Sequence, residues 1–168
     1  EGGKFLGDQK IATVADTNWR PVGVGDFNKD GRIDILWQHQ VTGDVFVWYM
    51  DGLRLMRDEF VARVNDTSWK IVSVADLNGD GHPDLLWKHE KSGEVYVWHM
   101  NGKRFIHEQR LRSLENPQWQ IDGVLKFGLG DQAQIILRSP NSGQIVGWQL
   151  EGTRYVKEKS IRTLQLLR

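Results

Sequence analysis

The chain repeats itself every 50 residues without a gap. Trp19, Trp69 and Trp119 fall in one column, and Trp48, Trp98 and Trp148 in another. Gly43, Gly93 and Gly143 align, as do Gly2, Gly52, Gly102 and Gly152. The two remaining tryptophans, Trp37 and Trp87, share a column with Leu137, so all eight belong to the repeat. A short unit that recurs three times cannot bury both of its faces alone; it must stack on its neighbours. The repeated tryptophans are therefore expected between repeats, where large aromatic side chains pack.

Each repeat reads as four strands. In the second, 69–77 is followed by an acidic loop, then 83–90, the turn Lys91-Ser92-Gly93, 94–100, the turn Asn101-Gly102, and 103–114. Asn-Gly is a strong hairpin signal. Glu108 to Leu114 has some helical propensity, but its alternation and the preceding hairpin favour strand. Four strands in 50 residues is the size of a propeller blade. The predicted class is all-β, with β-propeller-type four-stranded blades: three repeats plus an extra outer strand. The organisation is one repeat domain over 1–168: an outer strand at 1–18, then blades at 19–68, 69–118 and 119–168. A β-trefoil-like three-fold arrangement is the alternative. Propellers have four to eight blades, so three repeats predict either a homo-oligomer or part of a larger propeller.

The acidic loop carries the chemistry. Asp26, Asn28, Asp30 and Asp34 recur as Asp76, Asn78, Asp80 and Asp84, with Gly31 and Gly81 at the sharp turn. Oxygens at alternate positions converge when the chain coils tightly, and the carbonyls of Arg32 and His82 are further donors. Hard oxygen ligands suit calcium over zinc or copper, and magnesium demands a tighter octahedron. Two Ca²⁺ sites are expected. The loop is not an EF-hand, because position 12 is Trp37 or Trp87 instead of glutamate. In the third repeat the positions become Lys126, Gly128, Gly130 and Gln134, with no carboxylate, so no metal is expected there.

These residues resemble the FG-GAP or VCBS repeats of integrin-α-like β-propellers. Matching segments are VGVGDFNKDGRIDILWQHQVTGDVFVWYMDG and VSVADLNGDGHPDLLWKHEKSGEVYVWHMNG, with VLKFGLGDQAQIILRSPNSGQIVGWQLEG as a degenerate copy. The resemblance implies that the loop joins the first two strands of a blade and binds calcium. It also implies an extracellular, secreted or cell-surface setting, since such repeats occur in adhesion receptors, lectins and enzyme-attached propellers.

The function expected from this is a calcium-binding recognition module, foremost a carbohydrate-binding lectin. The alternative is a non-catalytic adhesion or structural module that binds an extracellular protein. Lectin propellers of this kind use shallow pockets between blades, and the polar candidates near aromatics are Gln38, His39, Tyr49, Lys88, His89 and His99. No phosphate loop, zinc-protease or serine-hydrolase motif is present, so no enzyme is expected. Lys plus Arg and Asp plus Glu both total 22, which argues against nucleic acid. No apolar run approaches the ~20 residues of a membrane span. The chain has no cysteine, which fits a cytosolic protein and equally a secreted one stabilised by metal.

Overall fold

The computed structural model describes residue 7 and residues 9–126 and 133–160. Twelve strands form three four-stranded antiparallel sheets. The first holds β1 (Trp19–Gly25), β2 (Asp34–His39), β3 (Asp44–Asp51) and β4 (Arg54–Arg63). The second holds β5 (Trp69–Ala75), β6 (Asp84–His89), β7 (Glu94–Asn101) and β8 (Arg104–Ser113). The third holds β9 (Gln120–Lys126), β10 (Ala133–Arg138), β11 (Ile145–Glu151) and β12 (Arg154–Ser160). Strands pair in chain order within each repeat, as blades of a β-propeller-type fold.

Local chemistry accounts for this order. Gly52, Gly102 and Gly152 adopt φ of 61°, 60° and 57° at the tight turns between the third and fourth strands, a conformation that glycine takes without a Cβ penalty. The alternation in β2 and β3 sends one set of side chains to each face of the sheet. The stretch from Glu108 is strand as far as Ser113, because it ladders onto β7 from Glu94 to Asn101.

Two expectations are corrected. The trefoil alternative fails because a trefoil shares strands between repeats, whereas every ladder here stays within its own repeat. The outer strand expected at 1–18 is not formed by residues 9–18, which carry no strand; residues 1–6 and 8 lie outside the described residues. The equivalent strands β4 and β8 each pair with the third strand of the preceding inner triplet.

The blades stack in succession. β5 lies beside β1 and β9 beside β5, so the first strand of each blade is its innermost. Two apolar clusters fill the two seams. Leu36, Val45 and Val47 of the first blade meet Ile71, Leu85 and Trp87 of the second. Leu86, Val95 and Val97 of the second meet Ile135, Leu137 and Trp148 of the third. The approach is close at Gly23, where an added Cβ would lie 2.3 Å from Val74 Cγ2. Among the described residues, no helix is long and apolar enough to cross a membrane.

Candidate functional site

The acidic loops fold alike in the first two blades. Asp26 accepts from the backbone N–H groups of Asp30 (3.1 Å) and Gly31 (2.8 Å). Asp76 does the same for Gly79 (2.7 Å) and Gly81 (3.0 Å). Asn28 and Asn78 accept from the N–H groups of Asp30 and Asp80, and the latter two accept from Arg32 and His82. Gly31 and Gly81 both take φ of 82° at the turn, as the sequence requires. The Arg32 side chain is paired with Asp30 and Asp51 at the rim.

Asp34 and Asp84 do something else. Each is fully buried, and each braces two segments. One oxygen of Asp34 accepts from Phe27 N–H and the other from Met50 N–H, both at 3.0 Å. Asp84 accepts from Leu77 and Met100 at the same 3.0 Å. The loop is thereby tied to the end of the third strand of its blade. Burial raises the pKa of both carboxyls; the two backbone donors oppose it in each case. Asp30 and Asp26 push Asp34 further up, so the three carboxylates sit close enough to repel. Among the described residues no three acidic or histidine side chains are arranged as a ready metal cage; the carboxylates turn to backbone N–H groups instead. Their hard oxygens and mutual repulsion fit a hard divalent cation in kind. Residues 127–132 of the third loop lie outside the described residues.

Of the six polar ligand candidates, Lys88 lines an open pocket of about 270 Å³ between the second and third blades, beside Lys70, Val72, Glu90 and Asp122; the contacts of all six are structural as well. Gln38, 1 % exposed, stitches the first seam: its Nε2 donates to Trp69 O (3.0 Å) and its Oε1 accepts from Ile71 N–H (3.1 Å). Lys88 stitches the second, donating to the carbonyls of Pro117 and Trp119 at 2.6 Å each. His39 accepts from Val41 and Thr42 N–H on Nδ1, so Nε2 carries the proton and donates to Asp16 at 2.9 Å. His89 repeats this with Ser92 and Asp66. Tyr49 is buried in the first seam, with Arg57 4.6 Å above its ring. His99 is buried against Asn78 and Asp84 and stacks on His107 at 4.4 Å. All six brace turns, loops or seams. A polar residue at a variable repeat position reads as surface only while the neighbouring blade is out of sight.

The Lys88 stitch carries a prediction. Burial lowers the Lys88 pKa from its usual 10.5, with Glu90 opposing. The unfolded chain then holds this proton more tightly, so stability rises with pH between the folded-state pKa and 10.5. Lys88→Gln, the residue of the first seam, removes that rise and stays within about 1 kcal/mol of the parent at neutral pH. Lys88→Ala leaves two seam carbonyls without a donor and costs about 2–3 kcal/mol. Urea titrations at neutral pH and pH 10 check both.

Three further pockets lie on the aromatic face, one in each blade. In the second blade Val64, Trp69, Trp87, Tyr96, Trp98 and Glu108 enclose about 290 Å³. In the first, Val14, Trp19, Trp37, Phe46, Trp48 and Asp58 enclose about 300 Å³. These are the same repeat columns. Trp69 meets Tyr96 edge to face at 5.3 Å, and Trp87 tilts against Trp98 at 4.7 Å. The Nε1 donors of Trp37 and Trp87 are buried without a partner. The third blade has the pocket too, lined by Trp119, Leu137, Val146, Trp148 and Glu158, but it shrinks to about 80 Å³. There Arg112 enters, its guanidinium 5.9 Å from the Trp148 ring and bonded to Tyr155 Oη. Trp148 Nε1 is satisfied by Glu158 at 3.1 Å. Ala12 and Ala62 stand where Arg112 does in the repeat, and they leave the first two pockets open. This pattern was present in the sequence: an acidic column at Asp58, Glu108 and Glu158 beside an Ala, Ala, Arg column.

A family model agrees with the repeat assignment over residues 26–87. No curated protein matches the sequence. One solved structure of similar shape is the extracellular domain of a putative one-component system from B. thetaiotaomicron, at 14 % identity and a TM-score of 0.43, over 94 % of this chain and 26 % of that one. The chain thus spans about a quarter of that protein's length. The stretch from the first acidic loop to the end of the second blade's second strand matches the FG-GAP-like repeat family. Residues 26–87 of this all-β chain are thus similar to the FG-GAP-like repeats, in keeping with its four-stranded blades.

Proposed function

We propose that the chain is a calcium-stabilised, non-catalytic recognition module of the cell exterior, and that it binds carbohydrate in the aromatic pocket of the second blade. The observation that carries this reading is the pocket itself. Three tryptophans and a tyrosine wall it, and Glu108 stands at its edge. A sugar ring presents C–H groups to stack on indole and hydroxyls to donate to a carboxylate. The Trp87 Nε1 beside it lacks an acceptor, and an unmet buried donor costs about 1–3 kcal/mol. A ligand oxygen would relieve that cost. The first blade offers a second pocket of the same make.

Asp26, Asn28, Asp30 and the carbonyl of Arg32, with their counterparts Asp76, Asn78, Asp80 and that of His82, would hold the two calcium ions, while Asp34 and Asp84 brace each loop from beneath. Calcium supplies positive charge that quiets the repulsion among the loop carboxylates. None of these pocket-lining residues belongs to an acidic loop, so in this reading the ion stiffens the blade and does not touch the ligand. Extracellular calcium modules bind at ~10⁻⁴–10⁻³ M, so 5 mM calcium would contribute about 1–2 kcal/mol per site by mass action. With two sites, the melting temperature in calcium should exceed that in EGTA by roughly 5–15 °C. An unchanged melting temperature would remove both metal sites from the proposal.

A glycan array tests the ligand. Binding to a defined sugar family is expected, and Trp98→Ala should abolish it while preserving the calcium-dependent rise in melting temperature. Absence of glycan binding by the folded, calcium-loaded chain would transfer the pocket to a protein partner, the adhesion reading.

A further inference from the structure

In the third blade the chain fills its own aromatic pocket, and the group it uses is a cation. Trp119, Trp148 and Glu158 stand there where Trp69, Trp98 and Glu108 wall the second-blade pocket. The Arg112 guanidinium lies 5.9 Å from the Trp148 ring and 5.2 Å from the Tyr155 ring, and it donates to Tyr155 Oη at 2.7 Å. An aromatic face draws a cation through its quadrupole, and tryptophan draws it most strongly. Glu158 adds a carboxylate to the same pocket.

The second-blade pocket keeps this chemistry and lacks the cation. Trp98 and Phe105 meet at 5.0 Å, in the columns of Trp148 and Tyr155. Glu108 lies across from Trp98 as Glu158 lies across from Trp148. Trp148 Nε1 holds Glu158, whereas Glu108 has no hydrogen-bond or ion-pair partner among the described residues. Ala62 brings no charge in the Arg112 column. Aromatic faces beside an unpaired carboxylate, with no resident cation, suit a positively charged group.

A second difference narrows the ligand. Trp87, in the wall of the second-blade pocket, stands where the third blade has Leu137, and its Nε1 is buried without an acceptor. A guanidinium or an alkylammonium offers donors alone. The third blade has no indole in that column, so Arg112 leaves nothing there unmet. The second blade calls for a cation with an acceptor oxygen beside it. A neutral sugar brings the oxygen without the charge, and a simple amine brings the charge without the oxygen. A sugar with a free amine brings both, because its ammonium sits among hydroxyl groups.

We infer that the second-blade pocket receives an ammonium group and that its ligand is a basic amino sugar, a hexosamine unit that is not N-acetylated. The inference rests on the carbohydrate reading of this pocket. The chain carries 22 basic and 22 acidic residues, so its net charge gives no general attraction for a polycation. A preference for the charged sugar has to come from local groups.

Calorimetric titration of the calcium-loaded chain at pH 6 tests it. The probes are a β-1,4-linked glucosamine oligomer, whose amines are charged, and the same oligomer N-acetylated. The free-amine oligomer should bind roughly tenfold more tightly or better. Glu108→Gln combined with Asp58→Asn, its counterpart in the first-blade pocket, should erase that preference and leave the N-acetylated oligomer unaffected. Both side chains are exposed, and an unchanged circular dichroism spectrum confirms the fold. Ala62→Arg, which copies the third blade, should close the second-blade pocket and remove one site from the stoichiometry. Equal binding of the two oligomers overturns the inference and leaves the carbohydrate reading standing. A free-amine preference that survives the double substitution also overturns it, since the attraction then lies elsewhere on the surface. Silence toward both oligomers overturns it as well, and the glycan array then decides the carbohydrate reading separately.

Discussion

Asp84→Ala should cost roughly 3–5 kcal/mol of stability, and the loss should appear in EGTA as fully as in calcium. Both oxygens of this carboxylate are engaged by backbone N–H groups 23 positions apart in the chain, those of Leu77 and Met100. The site is fully buried, so water cannot replace either bond. Truncation would strand two buried donors at about 1–3 kcal/mol each, in a protein whose whole stability is expected near 5–15 kcal/mol. Asp84→Asn should fall between, since its one carbonyl oxygen can serve one donor while its NH₂ opposes the other. Asp76→Ala is the contrast. Its carboxylate receives Gly79 and Gly81 N–H groups at the exposed rim, where water can take over. That variant should lose less than about 1 kcal/mol in EGTA and forfeit the calcium-dependent stabilisation of its blade. Urea titration of the three variants in both buffers separates the roles. Should Asp84→Ala be silent in EGTA and costly only in calcium, the carboxylate is a ligand and not a brace.

The contrast shows why the acidic loops were legible as a unit but not residue by residue. The spacing of Asp, Asn, Asp and Gly announces a tight coil of oxygens, and the coil is there. Spacing carries no sign that the last aspartate of each loop points inward and ties the loop to a strand 16 residues further on. The blades were legible because their causes are local: a glycine hairpin, an alternating strand, a recurring tryptophan. Strand ends fall within two residues of the sequence reading in the second blade. What failed depends on neighbours. Gln38 and Lys88 look like surface polar groups until the next blade arrives to receive them. The aromatic pocket escaped notice for the opposite reason. Its tryptophans were assigned to packing between blades, which they do, and the space left open in the second blade depends on Ala62 standing in the column where Arg112 fills the pocket of the third.

Trp87→Ala should remove about 3–5 kcal/mol, the range for emptying a large aromatic site in a packed core. Trp87 is only 1 % exposed and joins both sides of the first seam. Trp87→Leu should cost roughly half as much, because the third blade manages with Leu137, also fully buried, at the same place. Trp37 is the same residue in the same column, tilted against Trp48 at 4.7 Å as Trp87 is against Trp98. It differs in one respect: no blade covers it in the single chain, and it stays partly exposed. In dilute protein Trp37→Ala should therefore cost only about 1–2 kcal/mol, since less apolar surface returns to water. Urea titration of the two variants reads the difference directly. Equal penalties for the two tryptophans would mean that the aromatic face of the first blade is covered as fully as that of the second.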